Sequence, residues 1–261
     1  MLKKTMSRLT FGLLVFVVAL SFLTVFLVKV PDIHAQGFDM VLGAHRGNSM
    51  KYNENTLEAI QEGLTDPKYK FVEFDIQYTK DNQIVLFHDY SLNRMTGKFG
   101  KVSSLTYSEI NSLSDYHIPT FEEAMVLIGD QKKVNIEIKP SFDIEKDKEL
   151  VDYVVSYCSD KGILDKVIIS SISTEVVSYV SASYPSIKTG MIYWVHPVAY
   201  VHTDSLVTDF YEKMDAIGAD YIMLHGVNLK NSKLISYKPD SMVLSFWYFT
   251  DEMYIVDDEL W

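Results

Sequence analysis

A single cysteine, Cys158, in 261 residues excludes an internal disulfide. It falls in the apolar-periodic stretch Val151, Val154, Val155, Cys158, which reads as a packed thiol. Basic residues are also scarce once the N-terminus is set apart. Residues 1–30 hold four Lys/Arg and no acid, which leaves 20 basic and 35 acidic residues in the remainder, a net of −15. That sign excludes nucleic-acid binding through a basic face and disfavours docking on anionic lipid by charge alone. No Gly-rich phosphate loop follows the first strand-like run, which argues against a doubly wound nucleotide fold. Repeats and low-complexity tracts are absent, and the sequence gives no indication of oligomeric state.

Two things are present instead. The first is an uncharged run from Leu9 to Val28, preceded by Lys3, Lys4 and Arg8 and closed by Lys29. At about 1.5 Å per residue it matches the hydrocarbon thickness of a bilayer. It is apolar all round, with no amphipathic stripe. Residues 1–30 therefore read as a cytoplasmic start plus an N-terminal transmembrane helix, with everything after it outside a single-pass cell-membrane anchor. The alternative is a signal peptide cut near Ile33-His34-Ala35 and a secreted domain. Residues 31–39 read as a linker.

The second is an alternation of strand-like and helical patterns over residues 40–261, rich enough in apolar (48%) and aromatic (13%) residues for a packed core. Strands are expected at 41–44, 71–79, 84–87, 133–138, 166–169, 188–194, 220–224 and 242–249, and helices at 56–64, 121–128, 146–159, 174–183 and 206–217. Eight strand candidates in one composition class point to an α/β fold, a (β/α)8 TIM-type barrel. The connector Lys80-Asp81-Asn82-Gln83 is too short for a crossover helix. The runs on either side of it either form a hairpin or return to the barrel bottom as extended chain. Residues 91–118 are irregular and read as an excursion over the barrel top.

Four polar clusters end strand-like runs: His45-Arg46-Gly47, Glu73-Phe-Asp75, His88-Asp89 and Glu137-Ile-Lys139. Active sites of such barrels gather at the C-terminal ends of strands. Residues two apart on a strand share a face, so Glu73 and Asp75 point together, as do Glu137 and Lys139. Three converging carboxylates repel unless a cation pairs them, and an all-oxygen set favours Ca²⁺ or Mg²⁺ over Zn²⁺. Two histidines can serve as proton donor and acceptor. Arg46 and Lys139 can neutralise a phosphate, and Gly47 lets the backbone turn closely beside them.

These clusters, together with Glu54-Asn55-Thr56, Thr79-Lys80-Asp81, Arg94-x-Thr96-Gly97, Pro119-Thr120-Phe121-Glu122-Glu123, Ser170-Ser171 and Trp247, resemble the glycerophosphodiester phosphodiesterase family from about residue 41 to 250. The resemblance implies a divalent metal on Glu73, Asp75 and Glu137, with His45 and His88 as the acid/base pair. It implies substrate contacts from Arg46, Lys139 and Trp247, with Glu54 a further candidate for the metal shell. The implied activity is hydrolysis of a glycerophosphodiester or lysophospholipid. Two other outcomes stay open: an inactive, membrane-tethered binding barrel, and a lyase that forms a cyclic phosphate. Two departures stand out. Asn53 replaces the family's usual proline, and the family's segment like Gly-Val-Asp-Gly-Ile-Ile-Thr-Asp does not follow Trp247. A barrel incomplete at its C-terminal closure, with an exposed apolar edge, is therefore the expectation.

Overall fold

Strict alternation on one strand sets the architecture. In β2 (Phe71–Tyr78), Val72, Phe74 and Ile76 are fully buried in the largest apolar cluster, while Glu73, Asp75 and Gln77 take the opposite face. The same division runs through β4 (Lys133–Ile138), where Val134, Ile136 and Ile138 share that cluster and Asn135 and Glu137 face the other way. The apolar side packs against the surrounding helices, and each such side chain contributes about 1.5–3 kcal/mol on burial. A slip of one residue would drive the carboxylates into that layer, so packing fixes their direction.

The computed structural model describes residues 41–195 and 204–248 and the strand 252–255. The apolar run 9–28, the linker 31–39 and the tail beyond residue 255 lie outside the described residues. Among the described residues no helix is long and apolar enough to cross a membrane.

The remaining strands are β1 (Val41–Ala44), β3 (Ile84–Leu86), β5 (Val167–Ser171), β6 (Lys188–Tyr193), β7 (Tyr221–His225), β8 (Val243–Trp247) and β9 (Glu252–Ile255). Parallel pairing runs β1-β2-β4-β5-β6-β7-β8, and β9 lies antiparallel between β8 and β1. The expected open edge is therefore filled, because Glu252–Ile255 pairs on both sides instead of a last β/α unit. The helices are α1 (Leu57–Thr65), α2 (Asn93–Thr96), α3 (Tyr107–Ser112), α4 (Phe121–Ile128), α5 (Ile144–Asp160), α6 (Thr174–Ser183), α7 (Asp204–Ile217) and α8 (Ser232–Ser236). The longer ones alternate with the parallel strands, as a TIM-type barrel requires. Inside the ring a separate layer of Phe71, Ile168, Tyr221, Met223 and Val243 fills the floor. Gly43 is required there, because a Cβ would lie 2.0 Å from the Phe71 ring.

The expected strand at 84–87 is not a member of the ring. β3 is the hairpin partner of β2, paired Ile76 with Leu86 and Tyr78 with Ile84. β1 covers only the start of β2, at Phe71 and Val72, so β3 takes up the pairing further along. The chain then descends towards the barrel mouth, with the Phe87 N–H donating to the Asp75 carbonyl (3.1 Å). The excursion that follows has its own small core of Val85, Phe87, Leu92, Val102, Ile110 and Ile118.

Candidate active site

Register brings the acids together. β2 and β4 are parallel neighbours with Asp75 opposite Glu137 and Glu73 opposite Asn135. All three carboxyl groups are buried, and one oxygen from each lies within 4.8 Å of the others. Burial, then Asp75 and Glu137, pushes the Glu73 carboxyl well above the usual range. Burial also raises Glu137. Asp75 moves the other way: Lys139, then His88 and Arg46, outweigh its burial and hold it well below the usual range. The Lys139 ammonium lies 2.8 Å from Asp75 Oδ1 and also hydrogen-bonds Glu137. Burial opposes its charge, but Asp75 and Glu137 prevail and raise its pKa. Three buried carboxyl groups with two of them pushed towards the neutral form suit a hard divalent cation, which would let all three ionise.

The loop after β1 supplies the second wall. Arg46, Gly47 and Asn55 all take positive φ (56°, 72° and 59°). At Gly47 a Cβ would meet the Ala59 backbone at 2.5 Å, so the turn excludes a side chain there. The turn aims the Arg46 N–H at Glu73 Oε2 (2.7 Å) and the Gly47 N–H at the Glu73 carbonyl (2.9 Å). Asn55 grips Asp75 twice, donating to Oδ2 (2.8 Å) and accepting from the Asp75 N–H (3.0 Å). Thr56 then caps α1.

The two histidines reach one cavity of about 110 Å³, lined also by Arg46, Glu73, Asn135, Glu137, Lys139 and Trp247. His45 Nε2 is 3.9 Å from Glu73 Oε2. Burial, reinforced by Arg46, lowers the His45 pKa to about 3 and keeps the ring neutral. His88 arrives at the end of the descending hairpin strand, with Nδ1 2.7 Å from Asp89 Oδ1. Trp247 ends β8, its ring 6.4 Å from His45 and 5.0 Å from His225.

Eight of the nine residues singled out in the sequence thus converge, with Asp75 lying behind the cavity lining within the carboxylate cluster. Glu54 does not join them. Its carboxylate is bound by Arg46 Nη1 (2.9 Å) and doubly by Arg94 (2.6 and 2.9 Å), away from the three-carboxylate cluster. One further expectation needs correction. Glu73 and Asp75 sit within β2 and not at its end, because β2 continues past them to pair with β3. His88 follows the hairpin strand β3, outside the ring, which is one of the two arrangements that the short connector before β3 allowed. Sequence reasoning also missed Asn135 and Gln77, and gave Asn55 no role beyond its place in the motif Glu54-Asn55-Thr56. Gln77 donates to the carbonyls of Phe87 (2.7 Å) and Asp89 (2.9 Å), which flank His88. A signal existed for the first two: Gln77 and Asn135 extend the same two-residue spacing that joins Glu73 to Asp75 and Glu137 to Lys139.

The family model described as "Glycerophosphoryl diester phosphodiesterase family" matches residues 45–242. The chain is 32% identical over 161 residues to the glycerophosphodiester phosphodiesterase of Caldanaerobacter subterraneus subsp. tengcongensis, covering 58% of this chain and 65% of that relative's length. The glycerophosphodiester phosphodiesterase structure from Thermotoga maritima superposes with a TM-score of 0.59 at 25% identity, over 81% of this chain and 87% of that one. A phosphodiesterase from Oleispira antarctica, solved in complex with the product sn-glycerol-3-phosphate, superposes with a TM-score of 0.65 at 21% identity, over 83% and 86% of the two chains.

Proposed function

The chain belongs to the glycerophosphoryl diester phosphodiesterase family, and from that premise we propose that it hydrolyses glycerophosphodiesters to sn-glycerol-3-phosphate and an alcohol, with a divalent cation and two histidines. One observation carries the reading: a single cavity is lined by two of the three clustered carboxyls, with Asp75 directly behind them, and by two cationic side chains and two imidazoles. Glu73, Asp75 and Glu137 would hold the cation, Ca²⁺ or Mg²⁺, which supplies Lewis-acid stabilisation of charge on the phosphate. Arg46 and Lys139 stand where they can pair with the phosphate oxygens. His45, lining the cavity with Nε2 3.9 Å from Glu73 Oε2, is placed to serve as one member of the acid/base pair. His88, with Nδ1 directed at Asp89, offers its other nitrogen to the cavity and completes the acid/base pair. Trp247 gives the cavity an apolar wall suited to the carbon skeleton of glycerol. The Oleispira complex with sn-glycerol-3-phosphate supports that product class.

The substrate pool follows from location. The apolar run 9–28 with its basic flank supports a cell-membrane anchor with the barrel outside, where deacylated or lysophospholipid head groups are available. Protease protection of the barrel in intact cells would contradict that placement.

Alanine at His45 or at His88 is expected to lower turnover on the order of 10²–10⁴-fold with the fold kept. Steady-state kinetics alongside circular dichroism checks this, and near-normal turnover in either variant removes that histidine from the reaction.

A further inference from the structure

Arg94 does not line the cavity, yet it joins its two sides. It lies in the short helix α2, which the excursion core holds in place. Leu92, just before the helix, is fully buried, and Gly97 ends it at φ 68°. From there the guanidinium makes four hydrogen bonds to two carboxylates. Nε and Nη2 reach Asp89 Oδ2 and Oδ1 at 2.7 and 3.0 Å, and Nη1 and Nη2 reach Glu54 Oε2 and Oε1 at 2.9 and 2.6 Å. The two oxygens that share Nη2 are the ones with a further partner. Asp89 Oδ1 faces His88 Nδ1 (2.7 Å), and Glu54 Oε1 accepts from Arg46 Nη1 (2.9 Å).

We propose that Arg94 is a positioning residue, a double fork that fixes the His88 ring through Asp89 and the Arg46 guanidinium through Glu54. The His88 side chain is 32% exposed, so packing alone leaves its ring free to turn, and the Asp89 contact selects its orientation and tautomer. Asp89 is held in turn from both of its oxygens by Arg94. On the other side Arg46 Nε stands 3.6 Å from Asp75, beyond hydrogen-bond reach, so Glu54 is the side-chain group that hydrogen-bonds this guanidinium. A lysine carries the same charge but cannot span both carboxylates with paired bonds.

The inference rests on the phosphodiesterase reading, and its test separates the two. In the full chain, Arg94→Met is expected to lower kcat on glycerophosphocholine on the order of 100-fold, as a misplacement of about 1 Å does. Arg94→Lys is expected to stay within about threefold of that value. Free guanidinium ion should restore part of the loss in Arg94→Met. Independently of turnover, imidazole ¹⁵N spectra assigned with His88→Gln should show one fixed His88 tautomer in the parent and averaged nitrogens in Arg94→Met. A kcat within twofold of the parent, or an unchanged His88 spectrum, overturns the proposal, as does full activity in Arg94→Lys. A parent that cleaves no glycerophosphodiester refutes the phosphodiesterase reading, while the His88 spectra still decide the role of Arg94. Should Arg94→Met fail to fold, Arg94→Lys supplies both readouts.

Discussion

At the scale of single residues the site is a balance of buried charge. Glu73 is the carboxyl most burdened by its neighbours, raised by burial and then by Asp75 and Glu137. Glu73→Gln keeps an oxygen for the Arg46 N–H and removes one repelling charge. In cation-free protein its Tm is therefore expected to equal or exceed that of the parent. The stabilisation that saturating cation gives the parent, about 2.7 kcal/mol at 100 times Kd, should vanish in the variant. Thermal scans with and without Ca²⁺ or Mg²⁺ check both arms, and an undiminished cation response would remove Glu73 from the metal set. The residues that supply charge were legible because their types and spacing are themselves chemical statements. Asn55, Gln77 and Arg94 were less so: what they do is hold other residues, and that depends on contacts between segments distant in sequence, such as Arg94 with Glu54.

At the scale of elements, β1, α4, β4 and α6 lie where apolar periodicity puts them, residue for residue, because each is bounded by a cap or turn written in its own sequence. Thr120 with Glu123 forms a capping box at the start of α4, for example. The count of eight strands was met by a different set. β3 reads like any short strand, and the four-residue connector before it left a hairpin partner as one of two arrangements, the one that its antiparallel pairing with β2 realises. β9 was missed because four residues beginning with Glu252 carry a weak pattern, and its pairing with β1 is decided at the far end of the chain. The account makes β9 an interior strand of the ring, with Tyr254 opposite both Leu42 and Phe246. Tyr254→Pro should therefore cost about 1–3 kcal/mol by removing a ladder hydrogen bond from within the ring. That corresponds to a Tm lower by roughly 2–4 °C per kcal/mol, read by calorimetry. An unchanged Tm would mean that β9 does not close the barrel.

At the scale of the whole molecule, ring closure and charge meet in the pH dependence of stability. His45 is lowered to about 3 and His225 to about 4, both by burial. Between those values and the ordinary histidine pKa near 6.5, the unfolded chain binds protons that the folded chain does not. Stability should therefore fall as pH drops from about 6.5 towards 4. Glu73, raised well above its ordinary value, acts in the opposite sense and weakens the cation-free protein as pH rises through its folded pKa. Bound cation should reverse that second loss, since it selects the ionised carboxylates. Urea unfolding across this range, with EDTA and with Ca²⁺, checks the signs; a cation benefit larger at pH 5 than at pH 8 would contradict them.

Cation-dependent hydrolysis can be followed in one experiment, a phosphorus NMR time course of the full chain with glycerophosphocholine. sn-Glycerol-3-phosphate should accumulate as the phosphate product, with release abolished by EDTA and restored by Ca²⁺ or Mg²⁺. A folded protein that leaves the diester intact in the presence of either cation, or that accumulates a cyclic phosphate as its end product, would contradict it.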